Sequence, residues 1–164
     1  APSLASFAFQ LAPPGKLVLT FSEVVDLNTV GVTAIAIEAG DGNAATTVEL
    51  SNGLIEATDS ASEFEVQIPS ADLNAIKHID GLATARANTY IVLSGGLIQD
   101  MAANAITAIT AGAGLQVAVG AYTADTTAPQ LELFRLNMNS GVLCVVSSIY
   151  VIDATSCAWF VWPT

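Results

Sequence analysis

Apolar and polar residues alternate along much of this chain with a period of two, the spacing of a β-strand that buries one face. The pattern is clearest at residues 63–68, where Phe64, Val66 and Ile68 interleave with Glu63, Glu65 and Gln67. Leu17, Leu19 and Phe21 alternate with Lys16, Val18 and Thr20. Leu115, Val117 and Val119 alternate again ahead of Asp125-Thr126-Thr127-Ala128-Pro129. Phe64, Val66, Ile68, Leu17, Leu19, Phe21, Val117 and Val119 are therefore expected to share one core. Two runs are apolar without alternation: residues 32–37, rich in β-branched side chains, and residues 90–93, which suit a strand covered on both faces. Residues 46–50 lead into Ser51-Asn52-Gly53, a turn signal, and Leu54-Ile55-Glu56 resumes after it. About seven short strands separated by Gly, Asn, Asp and Pro predict an all-β fold, an Ig-like Greek-key β-sandwich.

One segment changes period. Leu73, Ile76 and Ile79 stand at helical spacing, with Ser70 as the expected N-cap, Asp72 in the first turn and Gly81 as a stop. This predicts one short helical insertion crossing an end of the sandwich.

The end of the chain repeats its beginning. Ala1-Pro2-Ser3-Leu4-Ala5-Ser6-Phe7 returns as Ala128-Pro129-Gln130-Leu131-Glu132-Leu133-Phe134, 127 residues later. Gly15-Lys16-Leu17 returns as Gly141-Val142-Leu143, and Ser22 as Ser148, now 126 residues later, so one residue is lost between the two matches. A long fixed period marks tandem arrays. The chain thus reads as a sandwich repeat over residues 1–127, followed over 128–164 by the opening strands of a second repeat or a strand-donating tail. Beyond Ser148 the echo weakens, and residues 158–164 carry both tryptophans in an apolar stretch that needs something to pack against.

Composition narrows the function classes. The chain is 52% hydrophobic but only 12% charged and 7% aromatic, and no run approaches the roughly 20 apolar residues of a membrane helix. Its net charge is −11. Lys16, Lys77, Arg86 and Arg135 are too few and scattered to neutralise a phosphate backbone, which excludes nucleic acid as a partner. The acidic excess keeps an apolar β protein soluble and apart from its copies. Cys144 and Cys157 form no C-x-x-C motif, and whether they pair is left open. No N-x-S/T sequon occurs, while O-linked glycans on the many Thr and Ser remain open.

Three motifs together carry a family resemblance. Leu19-Thr20-Phe21-Ser22-Glu23-Val24-Val25-Asp26, the segment Tyr90 through Asn104 with its Asp100-Met101-Ala102-Ala103-Asn104 turn, and the Asp125-Thr126-Thr127-Ala128-Pro129 junction are similar to the corresponding segments of bacterial-type Ig-like repeats of surface-layer proteins and giant adhesins. Ala103 stands where that family usually has Gly. The resemblance covers roughly residues 1–127 and implies an extracellular or cell-surface structural or adhesive role. It says little about a ligand.

His78 ends the predicted helix, where the dipole alone favours it, and no nucleophile motif accompanies it. Glu63 and Glu65 share one strand face, whereas glycoside hydrolysis needs carboxyls facing each other across a cleft. Gly95-Gly96 and Gly112-Ala113-Gly114 open no helix, as a phosphate site requires. Calcium takes six to eight oxygens; Asp100 and Asp125 are the weak candidates for it, with Glu23 or Asp26 near the other end, and the competing role for each is a turn or cap. No other cofactor is expected. Trp159 and Trp162 suit packing more than sugar stacking.

The reading is therefore a non-enzymatic structural repeat unit of an extracellular filament, surface layer or giant adhesin. It would contact copies of itself or neighbouring repeats through a stiff junction and the tail strands, with Leu131, Phe134, Leu143 and Trp159 in the interface. The alternative is a carbohydrate-binding or spacer module of a secreted enzyme.

Overall fold

The period-two segments become strands that pair in two layers. The computed structural model describes the backbone of residues 1–128 and 130–147, and the side chains of these except 132, 142, 143 and 145–147. The first layer contains β1 (Leu4–Gln10), β2 (Lys16–Phe21), β6 (Leu54–Ala57), β7 (Glu63–Gln67) and β11 (Tyr122–Thr123), in the spatial order β11-β1-β2-β7-β6. The second contains β4 (Ile35–Glu38), β5 (Thr47–Glu49), β8 (Tyr90–Leu93) and β10 (Leu115–Gln116), in the order β10-β8-β4-β5. A short ribbon, β3 (Val25–Asp26) with β9 (Gln99–Asp100), lies outside both. The chain changes layer between β2 and β4, between β5 and β6, and between β7 and β8. That is the Greek-key order of an Ig-like sandwich. The end of the unit serves both layers: β10 pairs antiparallel with β8, and β11 then pairs parallel with β1.

Leu17, Leu19, Phe21, Phe64, Val66, Ile68 and Val117 are all buried, together with Ile35, Ile37, Ile91 and Leu93 from the facing layer. Leu19 pairs with Phe64 across β2 and β7. The Phe21 and Phe64 rings stack with centroids 5.5 Å apart and planes 14° from parallel. The polar face of the same sheet is tied laterally: Thr20 Oγ1 donates to Glu63 Oε2 at 3.0 Å, and Lys16 Nζ lies 2.7 Å from Glu65 Oε1. The alternation of residues 63–68 thus separates core from surface, as its period requires.

Three expectations need correction. Val119 is not in the core but 84% exposed. Strand β10 ends at Gln116, and the chain then crosses layers, with Ala118 N–H donating to Phe7 O and Ala121 N–H to Ala118 O, so the alternation stops before Val119. Residues 90–93 bury only Ile91 and Leu93, while Tyr90 and Val92 are half-buried, because a two-layer sandwich leaves each sheet an outer face. Ser70 is the first residue of the helix α1 (Ser70–His78) and not its cap. Pro69 holds the N-cap position, its carbonyl accepts from Leu73 N–H at 2.9 Å, and no side chain caps the helix. Helix α1 buries Leu73 and Ile76, and Leu73 sits where a Cβ on Gly15 would fall, 2.9 Å from Cδ1.

The chain divides after Asp125 into two units, Ala1–Asp125 and Thr126–Thr164. In the second, β12 (Leu131–Asn137) and β13 (Val142–Ser147) form an antiparallel hairpin. Its ladder runs Leu131↔Ser147, Leu133↔Val146, Phe134↔Val145, Arg135↔Cys144, Leu136↔Leu143, Asn137↔Val142. The β1–β2 ladder runs Leu4↔Phe21, Ser6↔Thr20, Phe7↔Leu19, Ala8↔Val18, Phe9↔Leu17, Gln10↔Lys16. Every pair of the first maps on the second, 127 residues on along the first strand and 126 along its partner. The register shift recurs too, between Leu4 and Ser6 and between Leu131 and Leu133. Gly15 and Gly141, which precede β2 and β13, share left-handed φ values of 69° and 66°. Cys144 is disulfide-bonded; Cys157, Trp159 and Trp162 lie outside the described residues.

Phe64 has no exposed surface, so Phe64→Ala should cost about 3–5 kcal/mol in chemical denaturation. A loss below about 1 kcal/mol would mean that the ring is not packed between the layers as described.

Candidate functional site

Two of the three motifs behind the family resemblance meet at one pole of the sandwich. Strand β3, from the first motif, pairs with β9, from the second, placing Val25 opposite Asp100 and Asp26 opposite Gln99. The chain start is fastened to the same place: Ser22 N–H donates to Ser3 O at 2.9 Å, and Ser3 N–H to Ser22 Oγ at 3.1 Å. The Ala1 ammonium lies 3.6 Å from Glu23 Oε1 and 4.0 Å from Asp100 Oδ2.

Asp100 organises its turn. Its Oδ1 accepts from the N–H groups of Ala102 and Asn104 at 2.8 and 2.9 Å, and its Oδ2 accepts from Asn104 Nδ2 at 2.8 Å. The Asn104 side chain first, then its backbone N–H, hold the carboxyl below the ordinary carboxylate range; burial opposes them, while Ala102 N–H and the chain amino group assist. Asp26 caps a 3₁₀ turn through Asn28 N–H and Nδ2 at 3.0 and 2.8 Å. Within the turn led by Asp100, Ala103 has φ of +62°. This left-handed conformation suits Gly, which gives a physical reason for the family's preference at the position.

Asp125 sits at the opposite end of the unit's sequence, and its Oδ2 lies 2.6 Å from Lys77 Nζ on α1, both side chains largely buried. The two aspartates weighed for calcium are thus held by different donors in different places. Among the described residues no three His, Cys, Asp or Glu side chains gather as metal ligands. Glu63 and Glu65 are engaged across the sheet as described above, and His78 is exposed at the end of α1. No described helix is long and apolar enough to cross a membrane.

Two further carboxylates among the described residues are buried, Glu38 and Asp72, and the sequence shows the partner of neither. Glu38 on β4 is fully buried, and Gly112 N–H donates to both of its oxygens at 3.2 Å. The Gly112-Ala113-Gly114 loop therefore covers a carboxylate, and a Cβ on Gly114 would fall 2.5 Å from Glu38 Oε1. Asp72 clamps the crossover between layers, accepting from Ser51 N–H and Ser51 Oγ, each at 2.8 Å. A charged residue ending an apolar strand signalled Glu38; nothing local pointed to Ser51 as the partner of Asp72.

Of the residues expected in an interface, Leu131 and Phe134 on β12 are exposed. Leu143 stands opposite Leu136 in the ladder, with its side chain outside the described set, and Trp159 lies outside the described residues.

No protein-family model matches the chain, and no curated protein sequence matches it. Solved structures similar to it include surface-layer protein SbsC, domains 1–6, at 15% identity and a TM-score of 0.42, covering 85% of this chain and 15% of that one. The N-terminal part of the bacterial S-layer protein SbsC aligns at 15% identity and 0.42, over 85% and 27% of the two chains. A third SbsC structure, spanning residues 31–844, aligns at 15% and 0.43, over 90% and 18%. The chain spans well under a third of each of those chains, and a likeness this low does not make it a member of their family.

Two outcomes are expected. The depressed Asp100 pKa contributes stability that is complete above the unfolded value of about 3.9 and lost as pH falls through the lower folded value. Asp100→Asn should then be less stable than the parent near neutrality, with the gap closing in thermal melts taken between about pH 5 and 2; parallel curves would contradict this. Ala103→Gly should raise stability by about 0.5–1 kcal/mol, because it relieves a left-handed Ala at the entropic cost of a Gly. Denaturant midpoints that fall would show that the turn does not need that conformation.

Proposed function

We propose that this chain is a structural repeat unit of an extracellular filament, surface layer or giant adhesin, acting by stacking end to end and not by catalysis. The observation that carries the reading is the second hairpin, which reproduces the β1–β2 ladder pair for pair, register shift included. Periodicity in sequence and in backbone register is what a tandem array requires.

The fastening of the unit's ends supports the same reading. Its first strand and its last lie side by side and parallel, joined by Phe9 N–H to Ala121 O and Leu11 N–H to Thr123 O, each 2.8 Å. Parallel neighbours run in the same direction, so the chain enters β1 at one pole and leaves β11 toward the other. Force applied along such a string shears the β1–β11 bonds together. Lys77 pins Asp125 just before the junction, and Ser3 and Ser22 pin the entry. The acidic surface and the disulfide at Cys144 suit an oxidising, extracellular setting.

Electron microscopy of the assembled protein tests this. Ordered filaments or sheets should form from the full chain and fail to form once residues 128–164 are deleted. Normal assemblies from the truncated chain would refute the role of the tail, and a full chain that never orders but binds polysaccharide would favour the module of a secreted enzyme. Assembly that survives EDTA would leave calcium out of the junction.

A further inference from the structure

The shared ladder assigns faces to the second hairpin. In β1, Leu4, Phe7 and Phe9 point into the core and are 9%, 1% and 1% exposed. Leu4 and Phe7 fall on one face, three residues apart, because the register shifts between Leu4 and Ser6. Leu131, Phe134 and Leu136 occupy the same positions with the same shift, yet are 64%, 62% and 54% exposed. The hairpin thus carries the inner-face positions of a sandwich sheet, with Leu131, Phe134 and Leu136 exposed on them. Cys144 takes the place of Val18, half-buried on the outer face of β2, so its position belongs to the side of the hairpin away from Leu131, Phe134 and Leu136.

We infer that this face packs against the same face of a second copy of the chain, hairpin on hairpin. Two observations select that occupant. The large exposed apolar residues of unit Ala1–Asp125 are Val24, Leu54, Met101 and Val119, dispersed over separate turns and an edge strand, so that unit presents no matching sheet face. Charge points the same way: all of the 15 acidic residues except Glu132 and Asp153 lie at or before Asp125, whereas the hairpin balances Glu132 against Arg135. Two copies repel through their sandwiches and meet without net charge at their hairpins. A self-complementary patch of this kind gives a two-fold contact, and it supplies the second layer that an isolated pair of strands lacks. The contact is one partner surface of the assembly proposed above, pairing two chains and closing there, so that end-to-end growth needs a second contact outside the hairpin; it rests on that reading.

Sedimentation of the full chain over a concentration series tests it. Below the concentration at which ordered assemblies form, the mass should rise from one chain to two, and Phe134→Asp should weaken the association by about tenfold or more, while Leu133→Asp on the outer face leaves it unchanged. Because Phe134→Asp could disturb the hairpin itself, a photoreactive benzoylphenylalanine placed at position 134, and in a separate variant at 133, gives a second readout. Crosslinks between the hairpins of two chains from 134 but not 133 support the contact. A monomer at every concentration, a dimer indifferent to Phe134→Asp, or crosslinks from 134 only to residues of its own chain overturn it. A hairpin dimer that never builds ordered assemblies would retire the assembly reading and leave the contact standing; ordered assemblies insensitive to Phe134→Asp would do the reverse.

Discussion

The parallel pairing of β1 with β11 is the constraint on which the rest of this unit depends. Without β11, β1 would be an edge strand with a row of unsatisfied backbone groups. With it, the first and last strands of the unit close against one another, and the chain must cross from β10 in one layer to β11 in the other over a few residues. That crossing expels Val119 from the core and brings Tyr122 inward, where its hydroxyl donates to Ala83 O at 2.6 Å and burial raises its pKa. Ala83 is itself buried with a left-handed φ of +49°. The closing strand thus anchors the loop after α1, and α1 in turn holds Asp125 through Lys77.

What the residue pattern made legible was whatever depends on local period. Alternation in β2 and β7 identified the inward side chains because a one-residue slip would reverse every one of them. The helical spacing of Leu73 and Ile76 identified α1 because residues three apart lie on one face of a helix. The cap at Pro69 was not legible, since a Ser beside the first turn is a common cap and only the backbone angles distinguish the two positions. Nor was the layer change at Ser51-Asn52-Gly53, because a turn signal does not say whether the next strand pairs with the last one or crosses to the other sheet. Asp72 settles that point from 21 residues away in sequence.

The polar residues at the pole follow a similar division. Asp100 and Asp26 were recognisable as turn-forming or cation-binding, two roles that use the same oxygens. Hydrogen bonds from Ala102, Asn104 and Asn28 fill those oxygens with local donors. The positive φ of Ala103 follows from the tight loop they enforce. Glu38 was hidden for the opposite reason: its partner is a backbone N–H 74 residues away, and no spacing rule reaches that far.

The second hairpin shows how far register alone can carry an argument. Sequence identity between the two copies is slight after the opening motif, and Phe9, Leu19 and Phe21 are replaced by Leu136, Val145 and Ser147. The Phe21–Phe64 stack has no counterpart where Ser stands. Yet the pairing, the register shift and the left-handed Gly are all retained. Backbone geometry is therefore kept while core volume shrinks, so the hairpin would pack poorly in the place of β1–β2 in another copy of the first unit, leaving voids where two Phe rings had been. Exchange of hairpins between sandwiches is disfavoured on that ground. A layer of matching, smaller side chains is the better complement, and the hairpin's own inner face is one.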